Sequence, residues 1–214
     1  NSLNDNLELI SHGMKNGFYT YLIMPPAYYP KTDEGVYNFY KKIIISAPKI
    51  KIILYNFEKL SGYLFTKEII KKLVMDFPNS VVGCKDSSYN LFETLKLENF
   101  LIFPGSESKL LKGLNLGCAG CISAVTNVTH SLAKKVFEDF LKNKEQTMNS
   151  QLIKVRQVFD KHQLIPALHS FMSMNDEIYK NVLPPLTLLS ENKKKELIKD
   201  LKEINFIKGN NLAA

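Results

Sequence analysis

Short apolar runs alternate along the chain with longer stretches in which apolar side chains recur every three or four positions. Leu3, Leu7, Ile10 and Met14 fall on one helical face that stops at Gly17. Residues 19–24 then read as a buried strand halted by Pro25-Pro26, and a loop over 27–31 leads to Thr32-Asp33-Glu34, a helix start with acid in its first turn. That helix reaches about Ile45 and closes near Pro48, and residues 50–56 form a second strand. Thr66 is placed to cap a helix ending at Phe77, before Pro78, and residues 80–84 are the third strand. Beyond it the pattern predicts a helix over 91–97, a strand over 100–103, a helix over 106–116, a fifth strand over 119–123 and a helix over 129–142. The remainder changes character: two long amphipathic stretches, 146–161 and 191–204, joined through the Pro184-Pro185 loop, with no further strands.

Five apolar strands, each followed by a helix at a spacing of roughly 30 residues, indicate parallel β-α-β units and an α/β class. An open doubly wound sheet and a segment of a (β/α)8 barrel are the competing architectures. Gly113, Gly117 and Gly120 have the wrong spacing for a dinucleotide fingerprint and precede a strand instead of following one, which favours the barrel. Residues 1–143 are therefore expected to form a partial (β/α) barrel and residues 144–214 a C-terminal helical extension.

Composition narrows the function classes. Of 214 residues, 45% are hydrophobic and 23% charged, enough apolar surface for a core and too much for a disordered chain. The most apolar stretch, 43–56, is broken by Lys49 and Lys51, so no spanning helix is expected. The net charge of +7 comes almost wholly from lysine, with Arg156 the single arginine. Guanine and phosphate are read best by a guanidinium fork, so the charge reads as a solvated surface and no nucleic-acid partner is expected. Three cysteines, an odd number, argue for a reducing, cytoplasmic setting, in which the Asn127-Val128-Thr129 sequon has no use. The start at Asn1 has neither a signal sequence nor an initiator Met and reads as the middle of something.

In a barrel, chemistry sits just past the carboxyl ends of the strands. Lys85 ends the apolar run Val81-Val82-Gly83-Cys84, a position where partial desolvation favours the neutral, nucleophilic amine used in Schiff-base chemistry; the competing reading is a lysine that snorkels to solvent. Tyr55 ends the neighbouring strand, where a phenol can relay protons or simply pack in the core. Cys118-Ala119-Gly120-Cys121 lacks a second pair or a histidine constellation and precedes a strand, so it reads as packing; Cys84 faces away from Lys85 by strand alternation. His12, His130, His162 and His169 lie on or near helices and read as structural.

The runs Leu54-Tyr55-Asn56-Phe57, Gly83-Cys84-Lys85-Asp86-Ser87-Ser88, Phe103-Pro104-Gly105-Ser106-Glu107 and Gly120-Cys121-Ile122-Ser123 resemble, in order and spacing, the dihydrodipicolinate synthase and N-acetylneuraminate lyase family of pyruvate-handling class I aldolases. Tyr28-Tyr29-Pro30, Glu34-Gly35 and Leu183-Pro184-Pro185-Leu186 agree with it. The resemblance implies a (β/α)8 barrel of which this chain carries strands 4 to 8. It makes Lys85 the Schiff-base lysine and Tyr55 the proton-passing tyrosine. Gly105 and Ile122 become positions whose backbone lines the pocket, and Ser87 and Tyr28 lie near the substrate, Tyr28 in a loop that in several members reaches a neighbouring subunit. It implies small-molecule substrates, neither metal nor organic cofactor, no membrane, and a homotetramer.

The sequence also departs from that family. The Gly-[Ser/Thr]-Thr-Gly-Glu loop, whose threonines bind the pyruvate carboxylate, is absent, and at roughly 30 residues per unit about 80 residues of barrel are missing ahead of Asn1. Tyr55-Asn56-Phe57-Glu58-Lys59-Leu60-Ser61-Gly62 has Leu60 where the synthases hold an aldehyde's carboxylate with arginine, and leucine cannot do that. Leu60-Ser61-Gly62 suits sialic acid lyases, yet those carry an Asp-Glu pair where this chain has Glu107-Ser108, and a serine where it has Ala124. Glu58 replaces a proline and has no assigned role. A lyase joining pyruvate to an aldehyde is the leading expectation. An aldolase for 2-keto-3-deoxy or N-acetylneuraminate-type acids and an inactive fragment or interaction module are the alternatives.

Overall fold

The computed structural model describes residues 2–208 and 211–212, and it divides into two compact units: residues up to 105 with 115–121, and 106–114 with 122 onward. In the first unit, α1 (Leu3–Lys15), α2 (Asp33–Ser46), the single turn α3 (Glu58–Ser61) and α4 (Lys67–Asp76) accompany four strands. These are β1 (Thr20–Ile23), β2 (Lys51–Asn56), β3 (Val81–Asp86) and β4 (Leu101–Pro104), all parallel and ordered β1-β2-β3-β4. The helix starts follow the capping logic of the sequence. Thr32 accepts from the Gly35 amide at 3.1 Å and Thr66 from that of Ile69 at 3.3 Å, each satisfying an amide with no helical partner. One face of the sheet, carrying Ile52, Leu54, Cys84 and Ile102, packs in a single core with Tyr40 and Ile43 of α2 and Ile70 and Leu73 of α4. Gly83 lets β4 approach: a Cβ there would lie 2.5 Å from the Leu101 carbonyl oxygen.

Two expected elements of this unit are different in the structure. The fifth strand, 119–123, does not form. Ala119 donates one hydrogen bond of 3.0 Å to the Ile102 carbonyl, but Gly120 takes φ +153 and the chain leaves the ladder after that bond. The sheet therefore has four strands where five were expected. Residues 91–97 make one turn, not a helix. The Thr94 and Leu95 amides both return to the Leu91 carbonyl, and Leu91, Phe92 and Leu95 are buried around that turn.

The second unit holds a 3-10 turn at Glu107–Lys109, α5 (Leu110–Asn115, whose last residue is counted with the first unit), α6 (Thr126–Leu141), α7 (Asn149–Phe159), α8 (Leu164–Met172) and α9 (Glu191–Glu203). Its core joins Val125, Val155, Val158 and Phe159 with Ala167, Leu168 and Phe171 of α8, Leu197 and Leu201 of α9, and Phe206. Contrary to the all-helical expectation, it ends in a two-stranded antiparallel pair, β5 (Ile207–Lys208) and β6 (Asn211–Leu212). Asn1 lies outside the described residues. Among the described residues no helix is long and apolar enough to cross a membrane.

Candidate active site

β2 and β3 run side by side with Tyr55 opposite Lys85 and Asn56 opposite Asp86. Paired residues of parallel strands share a face and successive residues alternate, so this one register creates two constellations at the same strand ends. On one face Lys85 and Tyr55 are half-buried, and Lys85 Nζ lies 4.1 Å from the centroid of the Tyr55 ring, which stacks in turn on Phe57 at 6.0 Å. The amine thus rests on the electron-rich face of the phenol ring.

On the opposite face Asn56 and Asp86 are completely buried. Asn56 Nδ2 donates to Asp86 Oδ1 at 2.8 Å and to Asn90 Oδ1 at 2.7 Å, and its own Oδ1 accepts from the Phe65 amide at 3.2 Å. Asp86 also accepts from the amides of Tyr89, Leu91 and Phe92 at 2.8–2.9 Å. These bonds lock the ends of β2 and β3 and the turn after β3, and so hold the backbone from which Tyr55 and Lys85 project. Next to Asp86, burial pushes the Cys84 thiol well up, and the Asp86 charge adds to it against a backbone hydrogen bond from Asn56.

The other expected site residues fall as follows. Ser87 follows Asp86 and donates its amide to the Asn56 carbonyl at 2.8 Å. Gly105 follows β4, donates to the Asp86 carbonyl at 2.9 Å, and lies so close to Ser87 that a Cβ would stand 2.0 Å from Ser87 Oγ; only glycine fits. The structure thus brings Lys85, Tyr55, Ser87 and Gly105 to one end of the sheet. Tyr28 is 92% exposed, at φ +83, with its ring edge-on to Tyr29 at 5.1 Å. Ile122 is half-buried and belongs to the second unit. Leu60 sits on α3, 54% exposed, and the Glu58 amide that opens this turn donates to Ser88 Oγ at 2.9 Å.

The sequence reading missed Asn56, Asp86 and Asn90 as site-building residues. For Asn56 and Asp86 the signal was parity: polar residues one step out of phase with Tyr55 and Lys85, at the ends of runs otherwise apolar, are buried opposite them and need partners; Asn90, exposed in the turn after β3, carried no such signal. It also missed a cluster in the second unit. Arg156 on α7 donates through Nη1 to Ser106 Oγ at 2.9 Å, Ser123 Oγ at 3.2 Å and Glu107 Oε2 at 3.3 Å, and through Nε to Asp160 Oδ1 at 2.7 Å. Burial works to lower the Arg156 guanidinium, but the hydrogen bond to Asp160 and the charge of Glu107 outweigh it and hold it above its ordinary value. Ser123 Oγ donates to Glu107 Oε2 as well.

The chain as a whole has relatives among known proteins. The chain is 26% identical over 193 residues, 86% of its own length and 71% of the relative's, to a 2-dehydro-3-deoxy-D-gluconate/2-dehydro-3-deoxy-phosphogluconate aldolase of Picrophilus torridus. It is 32% identical over 130 residues to a 4-hydroxy-tetrahydrodipicolinate synthase of Thermus thermophilus, a match covering 58% of this chain and 43% of that one. In fold it superposes on a prophage protein of the dihydrodipicolinic acid synthase family from E. coli K12, solved in complex with pyruvate (TM-score 0.85, 20% identity, 95% of this chain and 72% of that one). It superposes likewise on a catalytic lysine mutant of Ruminococcus gnavus sialic acid aldolase (TM-score 0.82, 19% identity, 95% and 71%). The model of the dihydrodipicolinate synthetase family matches residues 1–204, and the chain, with its lysine and tyrosine on paired strand ends, belongs to that family.

Proposed function

We propose that this chain carries the Schiff-base half of a lyase that makes or breaks a carbon–carbon bond between pyruvate and an aldehyde. The observation that supports it is the pairing of Lys85 with Tyr55, amine against phenol ring at 4.1 Å, on a backbone locked by Asn56 and Asp86. In this reading the neutral Lys85 amine attacks the keto carbon of pyruvate, water leaves, and an iminium forms. Loss of a methyl proton gives an enamine, whose carbon attacks the aldehyde, and water returns to release product and amine. Tyr55 carries protons in the steps that form the imine and that protonate or deprotonate the aldehyde oxygen. Gly105 contributes backbone to the pocket, Ser87 lies near the substrate, and Tyr28 reaches a neighbouring subunit. No metal or organic cofactor takes part. The four-stranded parallel sheet, matched to 72% of longer chains of the family, supports a partial barrel, which we place in the cytoplasm as a homotetramer in its complete form.

Borohydride reduction in the presence of pyruvate tests the mechanism. The expected product is an N-(1-carboxyethyl) group on Lys85 found by peptide mass spectrometry, absent in Lys85→Ala and formed about 100-fold more slowly in Tyr55→Phe. An unlabelled Lys85 in the complete protein would sink the mechanism and leave an inert or interaction role. A second reading, an aldolase for 2-keto-3-deoxy or N-acetylneuraminate-type sugar acids, is favoured by Leu60, an exposed apolar side chain where a carboxylate-bearing aldehyde needs a cation. Turnover with glyceraldehyde but not with an aldehyde bearing its own carboxylate selects this reading, and the reverse preference rejects it.

A further inference from the structure

Glu107 is entirely buried, and among the described residues only one of its two carboxylate oxygens is satisfied: Oε2 by Arg156 and Ser123, while Oε1 has no hydrogen-bond partner there. A chain that uses lysine for every other basic position places its single arginine here, 13% exposed, against that carboxylate. The guanidinium does what an ammonium does poorly: it spreads donors over Ser106, Glu107 and Ser123 with one nitrogen and reaches Asp160 with another. Arg156 rises from α7, whose Leu152, Val155, Val158 and Phe159 are buried, so its Cα is fixed by the helical core. Its acceptors come from two other segments. Ser106 and Glu107 directly follow Gly105, and Ser123 directly follows Ile122.

We propose that Arg156 is a clamp that fixes the segments around Ser106-Glu107 and Ser123 to α7. Glu107 is its counter-charge and Ser123 the link between the segments. The clamp rests on contacts within the second unit alone.

Hydrogen exchange in the complete protein tests the clamp without any substrate. Arg156→Met should speed amide exchange by about ten-fold or more in both 106–108 and 122–124, with near-ultraviolet circular dichroism reporting an intact fold. Glu107→Gln, which keeps the arginine on Asp160, approaches the cluster from the other side and should loosen the same two segments, less strongly. Arg156→Lys, which keeps the charge but not the spread of donors, should recover only part of the protection in both. Exchange unchanged in either segment for both Arg156→Met and Glu107→Gln overturns the clamp. A wild-type protein that traps no pyruvate on Lys85 defeats the lyase reading instead, and the exchange data still decide the clamp.

Discussion

Asp86 and Glu107 are both carboxylates wholly removed from water, and they are satisfied in opposite ways. Asp86 collects four N–H donors, three of them backbone amides within six residues of it, and both of its oxygens are used. Glu107 relies on side chains, chiefly a guanidinium 49 residues further along the chain, and keeps one oxygen without a partner among the described residues. The first arrangement is local and neutral in its donors, so it forms with the turn it stabilises. The second is an ion pair assembled by tertiary packing, whose desolvation is offset only while both charges are present. The first locks the strand ends that bear Lys85 and Tyr55; the second ties loops to a helix.

The largest break in that comparison is Asp86→Ala. Leaving buried amides of Tyr89, Leu91 and Phe92 and the Asn56 side chain without an acceptor should cost about 4 kcal/mol, read from the urea unfolding midpoint. A loss below about 1 kcal/mol would show that water or rearrangement replaces the carboxylate. Arg156→Met comes next at about 3 kcal/mol, because it strands the buried Glu107 charge. Here the two carboxylates should diverge. Adding Glu107→Gln to Arg156→Met should recover part of the loss, since the stranded charge is gone, whereas no partner substitution repairs Asp86→Ala. Strict additivity of the two substitutions would refute the pairing.

Asn56→Ala, expected at about 2 kcal/mol, removes the tie between β2 and β3 without touching Lys85 or Tyr55. It should also slow pyruvate trapping on Lys85, and an unchanged trapping rate would mean that the sheet ladder alone positions the pair. The smallest effect is a pH dependence. Burial, aided by the Asp86 charge, raises the Cys84 thiol, so the folded state keeps a proton that the unfolded chain loses. Its contribution is complete below the ordinary thiol range, about pH 8.5, and declines as pH rises past it. Stability should thus fall by about 1 kcal/mol between pH 8 and pH 9.5 beyond what Cys84→Ala shows. Tyr40, buried and raised in the same direction, adds its own decline only in the more alkaline tyrosine range. Parallel pH profiles for wild type and Cys84→Ala would remove the thiol from this account.

Where an element is set by near neighbours, the residues announced it. Thr32 and Thr66 cap the helices read from them, and Ile52, Leu54 and Cys84 lie in the core as the alternation of their strands requires; Val81 is buried as well, but out of step with Cys84, where the pairing of β2 and β3 shifts its register beside Ile52. The places of Lys85 and Tyr55 were legible for the same reason, since each ends an apolar run; the chemistry proposed for them comes from the family resemblance. Two segments were misread. Residues 91–97 have helical composition and their first amides are capped by Asp86, yet the segment stops after one turn, and no contact among the described residues explains the stop. Residues 119–123 look like a strand, but after the bond to Ile102 the ladder ends at Gly120.

Sequence alone determined the α/β alternation, the helix starts and which residues stand at the carboxyl ends of the strands, because caps and periodicity act over one to four residues. Only the tertiary structure decided that Tyr55 faces Lys85 across a register 30 residues apart, that Asn56 and Asp86 bond behind them, and that the single arginine closes on Glu107. Those pairings depend on which strand lies beside which and which helix packs against which loop, and that is set by burial summed over a whole core, which no local window contains.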